Sequence, residues 1–483
     1  MEFLTKNKSI LVISALFIVI YSLVSLVNHY NFRTYALDLG AYTNALYDYS
    51  HFQWNDSCVF KDEKDNLLSD HFDFYLIIFS PLIVFFGTYT LLLVQVISIV
   101  AGGIGVYKLF TIDKTKSQVA LFATIYFYTF FGVFSALAFD YHSNVVAAAL
   151  VPWLFYFVSK SKIVHSSIFI MLIIVAKENM SLWLTFILIG LAIEHRNDKL
   201  KRNFLILGAL FSGISFFVIT SIIMPSISAN GLYPHFNYTI LGTNMREAII
   251  HLITHPVESL KIIFINHNDS LHGNFIKIET HIILATSGLL LLFIKPKYML
   301  MLIPIYFQKF FHDSPPIWSI GYQYNIEFAP IMAIGIFEII STFKNKIALS
   351  CSIIVLLFSI ASTIRTMDNT LHVTNKSQIR FYQNIHYKKN YDIEPVHFNL
   401  KKIPSEANVS AQSPFVPHLS LRENIYQFPI IKDADYIVLS SKESTYPLSN
   451  EEFLAKVAEL EKSQEWEKIY SEDVTILKRI HSH

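Results

Sequence analysis

Acidic, basic and imidazole side chains recur in short polar segments that interrupt an otherwise apolar sequence. These segments are Leu37–Tyr42, Ser69–Asp73, Phe139–His142 and Lys177–Glu178. A carboxylate near a substrate hydroxyl can act as a general base. Carboxylate oxygens and imidazole nitrogens can also hold a divalent cation. The residue types therefore predict proton transfer, a cation site, or both.

The cation site is predicted at Asp140 and His142, with Asp38 and Asp70 as further possible ligands. Residues two apart direct their side chains to the same side only in extended backbone. Hard oxygen and imidazole ligands suit Mg, Mn or Zn. An Asp-x-His pair in a loop is more often solvated than metal-bound, and that alternative remains open.

The composition places these segments in a membrane protein. Hydrophobic residues make up 53% of the 483-residue chain, charged residues make up 16%, and the mean hydropathy is +0.42. Soluble domains carry more charge and less apolar surface. Charged residues become frequent only after residue 364, which predicts a membrane domain over 1–364 and a domain of soluble composition over 365–483. The net charge of +1 argues against a nucleic-acid partner.

Apolar runs predict about eleven membrane spans. The first, Ser9–Asn28, follows two lysines and lacks a cleavage site, so it predicts a retained signal anchor. Phe74–Phe86 is predicted as a short re-entrant or interfacial helix that ends before Gly87.

The distribution of basic residues predicts the orientation. With the N-terminus in the cytoplasm, most short basic segments fall inside, as the positive-inside rule requires. Loops 30–71 and 224–280 and the C-terminal domain are then extracytoplasmic, at the cytoplasmic membrane. The predicted inner basic residues are Lys6, Lys8, Lys108, Lys114, Lys116, Lys160, Lys162, Arg196, Lys199, Lys201, Arg202, Lys295, Lys297, Lys344 and Lys346.

Lys177 and Glu178 join two apolar runs that are short for a membrane span. Their tip is therefore predicted to lie below the outer membrane surface, where ionisable residues usually mark function. The alternative is that the two side chains only neutralise each other at a helical turn.

Loop 30–71 contains a predicted amphipathic helix at the membrane interface, with Leu39, Tyr42 and Leu46 at helical spacing. Asp38 lies in its first turn and could simply cap it. Glu327 likewise opens a later helix, after Tyr324, and could only complement its dipole.

Two further regions have predicted secondary structure. Loop 224–280 should contain a helix over Asn244–Ile265, broken at Pro256, that could cover a cavity. The C-terminal domain should be a small α/β domain that supports or recognises, because it lacks catalytic and phosphate-binding motifs. Its predicted elements are strands 408–412 and 436–440, helix 451–462 and the hairpin 466–470 with 474–479.

The ordered set of these motifs resembles the GT-C glycosyltransferase superfamily, and most closely the predicted membrane proteins catalogued as domain of unknown function 2079. The resemblance also uses Ser410–Arg422 and covers most of the chain. It implies a polytopic α-helical GT-C-like membrane fold, with Asp38 as the first-loop carboxylate and Asp140 as the second acidic site. The second acid of the superfamily's paired motif is absent after Asp38.

The resemblance implies transfer of a sugar from a polyprenyl-phosphate donor to a glycan, lipid or protein acceptor at the outer face. Asp38 and Asp140 are then the expected catalytic residues. A cation from Lys177, Arg33 or a metal would stabilise the departing phosphate. The full set of predicted substrate-binding residues is Arg33, Tyr42, Asp70, His71, Lys177, Glu178, Tyr324 and Glu327.

Two other functions remain open. A transporter or flippase of lipid-linked sugars would need a polar path across the whole membrane, and no inverted repeat is evident. A non-catalytic scaffold would bind a partner through its C-terminal domain, but it would not require acidic turns or a buried Lys177–Glu178 tip.

Overall fold

The computed structural model describes residues 8–56, 58–61, 65–268, 270–372 and 376–480. The chain is mostly helical and ends in a small five-stranded sheet. The helices are α1 (Lys8–Tyr30), α2 (Ala41–Ser50), α3 (Leu67–Asp70), α4 (Tyr75–Phe79), α5 (Ile83–Phe86), α6 (Thr90–Phe110), α7 (Ala120–Thr129), α8 (Phe131–Leu137), α9 (Ser143–Ser159), α10 (Ile163–Ile174), α11 (Glu178–Glu194), α12 (Lys199–Val218), α13 (Met224–Ile227), α14 (Met245–Thr254), α15 (Pro256–Ile262), α16 (Ile276–Thr286), α17 (Lys297–Phe310), α18 (Pro315–Trp318), α19 (Phe328–Ile340), α20 (Asn345–Asp368), α21 (Lys376–Ile379), α22 (Ile393–Leu400), α23 (Val416–Leu419) and α24 (Asn450–Lys462).

Among the described residues, four helical stretches are long and apolar enough to cross a membrane. They are Lys8–Tyr30, Tyr75–Phe110, Lys199–Ile227 and Asn345–Asp368. The bent pair α7 and α8 would make a fifth span. The other predicted spans fall on shorter helices, so the count of about eleven stays a prediction.

The stretch Tyr75–Phe110 contains short helical segments before α6. Gly87 has φ +54°, a left-handed value that glycine adopts without steric cost. The chain therefore changes conformation where the predicted Phe74–Phe86 segment ends. Val84 and Phe85 are largely exposed on the protein surface, as lipid-facing side chains would be.

One end of the helix bundle, here called the lysine end, consists of Lys295, Lys297, Glu194 and Glu338. Lys295 Nζ lies 2.6 Å from Glu338 Oε1, and Lys297 Nζ lies 2.9 Å from Glu194 Oε2. A cavity of about 110 Å³ at this end also contacts Lys116. Segments that the charge pattern predicted on one side of the membrane therefore do meet in space.

Helices α9, α11 and α19 each begin near the acidic turns and finish at the lysine end. Helices α9 and α11 have 17 residues each, a length of about 26 Å. The two ends of the bundle are therefore separated by a helix length that is slightly less than the ~30 Å hydrocarbon core.

The C-terminal sheet has the strand order β2-β1-β3-β5-β4. Strand β1 pairs with β2 and β3 in parallel, while β5 pairs with β3 and β4 in antiparallel orientation. The sequence predicted every strand except β2. The strands are β1 (Val409–Ala411), β2 (Ile425–Gln427), β3 (Tyr436–Leu439), β4 (Trp466–Ser471) and β5 (Thr475–Arg479).

This C-terminal domain packs on the first loop. Ser413 Oγ accepts a hydrogen bond from Ala36 N at 3.1 Å, and Asn44 Nδ2 donates to the Arg422 carbonyl at 2.8 Å. The predicted helix of the first loop exists as α2. Most residues of α2 are buried inside the protein, so the helix does not lie free on a lipid surface, and its depth relative to the membrane stays a prediction.

Candidate functional site

The acidic turn between α8 and α9 is held by a glutamine from α6. Gln95 is fully buried; its Nε2 donates to the Asp140 carbonyl at 3.2 Å, and its Oε1 accepts from His142 N at 2.9 Å. The ring of Phe139 stacks on His142 with centroids 5.4 Å apart. Contacts to the backbone of the turn and contacts between its side chains thus both hold its conformation.

Asp140 fastens the first loop to this turn. Its Oδ2 accepts hydrogen bonds from Tyr35 N at 2.9 Å and Leu39 N at 3.4 Å. Burial raises the pKa of Asp140, and the neighbouring charge of Asp38 raises it further. Asp140 is therefore placed to position the segment that carries Asp38, while its buried Oδ1 has no hydrogen-bond partner among the described residues.

That segment is a π-helical turn, Ala36–Gly40, which leads into α2. The Asp38 side chain leaves the helix and approaches His142, with Oδ1 3.4 Å from Nε2. About a fifth of the Asp38 side chain is exposed, against 4% for His142. Asp38 is therefore not a capping residue but the accessible member of a carboxylate–imidazole pair.

The surroundings keep this pair in defined charge states. Burial would raise the pKa of Asp38, but the charge and hydrogen bond of His142, followed by Lys177 and His71, lower it overall. Burial lowers the pKa of His142 in spite of the opposing effect of Asp38. Asp38 is therefore favoured as the ionised carboxylate, while burial opposes a charge on the His142 ring.

Lys177 precedes α11 in extended backbone, with φ −164° and ψ 148°. It does not pair with Glu178 at hydrogen-bond distance among the described contacts. Instead, His71 Nδ1 lies 3.2 Å from Glu178 Oε1, and Phe72 N donates to Oε2 at 3.1 Å. The Lys177 charge acts on Asp38 and also on Asp73, so Lys177 lies between the two acidic segments.

Tyr42 shows that the segment carrying Asp38 and the segment carrying Asp73 belong to one site. Burial raises the pKa of its hydroxyl, and the charges of Asp38, Asp70, Asp73 and Glu178 raise it further. A single phenol is thus within electrostatic reach of four carboxylates from three chain segments. Tyr42 itself is 6% exposed, and its ring packs edge-on against Tyr141.

A second group of polar residues adjoins the first. Asp70, His71 and His235 each offer one ligand atom, and these atoms lie within 4.8 Å of one another. In the part of the chain that the structure describes, no other His, Cys, Asp and Glu set meets that distance. The predicted ligands Asp140 and His142 do not belong to it, because they are engaged with the first-loop backbone and Asp38.

Glu327 and Tyr324 lie near the Asp38–His142 pair. Glu327 Oε1 accepts from Asn144 Nδ2 at 2.8 Å, and Glu327 is 5% exposed. Tyr324 lies within electrostatic range of Asp38. Both predicted residues therefore adjoin the site, although a direct partner holds the Glu327 carboxylate.

Arg33 lies apart from the site. Its Nη1 donates to the Ser377 carbonyl at 3.0 Å and the His386 carbonyl at 2.6 Å, and its Nη2 donates to the Lys388 carbonyl at 2.5 Å. The guanidinium thus fastens the end of α1 to the start of the C-terminal domain. We leave it out of the substrate-binding set.

A family model described as a predicted membrane protein, DUF2079, matches residues 28–476. The chain belongs to the DUF2079 family. A search of the curated proteins finds no match.

Four residues of the DUF2079 site were not among the predicted site residues. His235 comes from the second loop, and no sequence pattern connects it with Asp70. Asp73 stands two residues after His71 in the predicted segment Ser69–Asp73, and burial raises its pKa to about 7. Gln95 and Asn144 are polar residues in apolar helices, and such positions are usually selected for a specific partner.

Proposed function

We propose that this DUF2079 protein is a GT-C-like membrane glycosyltransferase. It moves a sugar from a polyprenyl-phosphate donor to a hydroxyl of a glycan, lipid or protein acceptor. The observation that supports this most is the accessible Asp38 carboxylate, kept ionised by His142 and Lys177 between two acidic segments. The site would face the extracytoplasmic side of the cytoplasmic membrane.

Asp38 is the proposed general base. An acceptor hydroxyl hydrogen-bonded to its accessible oxygen loses its proton to the carboxylate as the acceptor oxygen attacks the anomeric carbon. The bond between that carbon and the phosphate oxygen breaks, and the polyprenyl phosphate leaves with the electron pair. The proton remains on Asp38 until solvent or a neighbouring base removes it.

Lys177 is the proposed partner of the departing phosphate. A preorganised ammonium stabilises negative charge that develops in the transition state, and it does so more strongly where water is excluded. Asp140 acts through the backbone of the first loop and is proposed as a positioning residue. The lipid part of the donor would remain in the bilayer.

The flippase alternative receives less support from the same contacts. Charged residues collect at the two bundle ends, and the helices between them pack through fully buried apolar side chains such as Ile99, Val151 and Ile187. A polar path from one end to the other is therefore not evident among the described residues.

The Asp38→Asn variant tests the proposal. The amide keeps the size of the side chain but removes its basicity, so transfer should fall by about 10²–10⁴-fold while donor binding survives. The assay measures sugar transfer from a panel of polyprenyl-phosphate sugars by protein in proteoliposomes. Asp48→Asn is a matched control, because Asp48 lies on α2 but bonds Asn55 instead of the site. Full activity in Asp38→Asn would contradict the general-base assignment.

A further inference from the structure

Two imidazole rings and a carboxylate meet beside Lys177. They have no role in the proposed sugar transfer as described so far. The rings of His71 and His235 stack with centroids 4.1 Å apart and planes 18° apart. His235 Nε2 lies 3.6 Å from Asp70 Oδ1. All three side chains are partly exposed, at about a fifth to a third of their surface.

Local structure brings these residues together. The side chain of Asn66 caps α3 by accepting from Leu68 N, and α3 ends at Asp70. His71 follows as the C-cap in extended backbone, and its ligand atom still lies within 4.8 Å of the Asp70 carboxylate. Helix α13 packs on α3, so the loop after α13 carries His235 to Asp70. His235 Nε2 donates a hydrogen bond to the Asp70 carbonyl oxygen at 2.6 Å, a bond that a metal ion on this nitrogen would replace.

The carboxylate of Glu178 orients the ring of His71. The Nδ1 of His71 lies 3.2 Å from Glu178 Oε1, and Phe72 N donates a hydrogen bond to Glu178 Oε2. This contact leaves Nε2 of His71 as the nitrogen available to a ligand. A histidine that donates its second ring N–H to a carboxylate is the usual arrangement at protein metal sites.

We propose that Asp70, His71 and His235 bind one divalent transition-metal ion, with Zn²⁺ the best match to the donor set. Two imidazoles and one carboxylate are ligands of catalytic zinc sites, which keep a further position open for water or substrate. Mg²⁺ and Ca²⁺ prefer oxygen ligands throughout. The site differs from the Asp140–His142 pair that the sequence indicated.

The open position suggests what the metal does. This role rests on the proposed function: a phosphate oxygen of the donor would take the open position. Lys177 lies within electrostatic range of His235, so a metal ion and an ammonium would contact the same leaving group. Together they would supply more positive charge to the departing phosphate than Lys177 alone.

The competing interpretation is that the two imidazoles and Lys177 bind phosphate directly as cations. The two interpretations predict different ligands for the isolated protein. A metal site binds Zn²⁺ or Co²⁺ without phosphate. A cationic phosphate site binds inorganic phosphate equally well after chelation and does not bind metal.

The test uses the full-length protein, purified in detergent and stripped with a chelator. Zn²⁺ content after equilibration and the visible spectrum with Co²⁺ should report one ion per chain with nitrogen and oxygen ligands. His71→Gln, His235→Gln and Asp70→Asn should each abolish this binding, with melting temperature as the folding check. Glu178→Gln, which alters only the supporting carboxylate, should weaken Zn²⁺ affinity by about 10–100-fold.

His251→Gln is the matched control, because His251 stacks on His255 with centroids 4.9 Å apart but belongs to no described three-ligand group. Unchanged Zn²⁺ binding in the three ligand variants would overturn the site, as would a wild-type protein that binds phosphate but no metal after chelation. Metal binding is measured without donor, so its failure is distinct from a failure of sugar transfer.

Discussion

At the scale of single residues, the site contains two kinds of side chain. Some are proposed to act on the substrate, and the others hold those side chains in position. Asp38 and Lys177 have accessible surface and no fixed backbone partner among the described contacts. Asp140, Gln95 and Glu178 each bind backbone or a neighbouring side chain at hydrogen-bond distance. Substitutions in the first set should therefore alter kinetics, and those in the second set should alter geometry.

Lys177→Met gives a residue-scale prediction. Glu178 keeps its contacts to His71 and Phe72 N in this variant, so the carboxylate is not left without a partner. We expect donor affinity and turnover to fall, by at least tenfold, while the melting temperature in detergent changes little. A large stability loss that Lys177→Met with Glu178→Gln restores would instead assign Lys177 a structural role.

At the scale of elements, the C-terminal domain determines where Asp38 lies. Arg33 and Asn44 bond backbone carbonyls of residues beyond 376 on both sides of the Asp38 turn. Gly40 allows the closest approach, since a Cβ at this position would lie 2.8 Å from Val416 Cγ1. The domain expected to support or recognise therefore contacts the loop that carries the proposed base.

Gly40→Ala tests this contact. The added methyl group must displace either α23 or the Asp38 turn, and such overpacking typically costs about 1–3 kcal/mol. We expect a lower melting temperature together with reduced transfer. Gly40→Ala combined with Val416→Ala should recover part of both, because the smaller neighbour makes room. Equal losses in the single and double variants would show that the close approach is not what positions the turn.

At the scale of the whole molecule, the bundle has two chemically different ends. One end holds the acidic turns, the second loop and the C-terminal domain, which all contact one another. The other is the lysine end, where Lys297 pairs with Glu194 and Glu338. Because helices run from one end to the other, we expect these two ends to lie at the two faces of the membrane.

Reporter fusions test the orientation. A reporter that is active only outside the cytoplasm should be active when fused after Asn369, just beyond α20. It should be silent when fused after Lys297, at the lysine end. The positive-inside rule requires this result because short basic segments are retained in the cytoplasm. The reverse pattern would place the Asp38 site in the cytoplasm and rule out an extracytoplasmic transferase.

The sequence by itself determined the properties that depend on composition and local pattern. Apolar runs indicated a membrane protein, the charge shift after residue 364 indicated a C-terminal domain of soluble composition, and the local strand and helix patterns there indicated its α/β class. The break of the second-loop helix at Pro256 follows from the missing N–H of proline. Short polar segments also identified Asp38, Asp70, His71, Asp140 and Lys177, since polar side chains in an apolar chain are costly unless they have a partner or a function.

Only the tertiary structure decided which of these residues contact one another, and so which role each is proposed to have. His235 lies 165 positions from Asp70 in the chain, and the contact exists only because α13 packs on α3. The burial of α2 likewise depends on distant segments, since Tyr42 packs against Tyr141 and Asn44 donates to the Arg422 carbonyl. Non-local contacts of this kind arise from packing between distant segments, so no local spacing in the sequence encodes them.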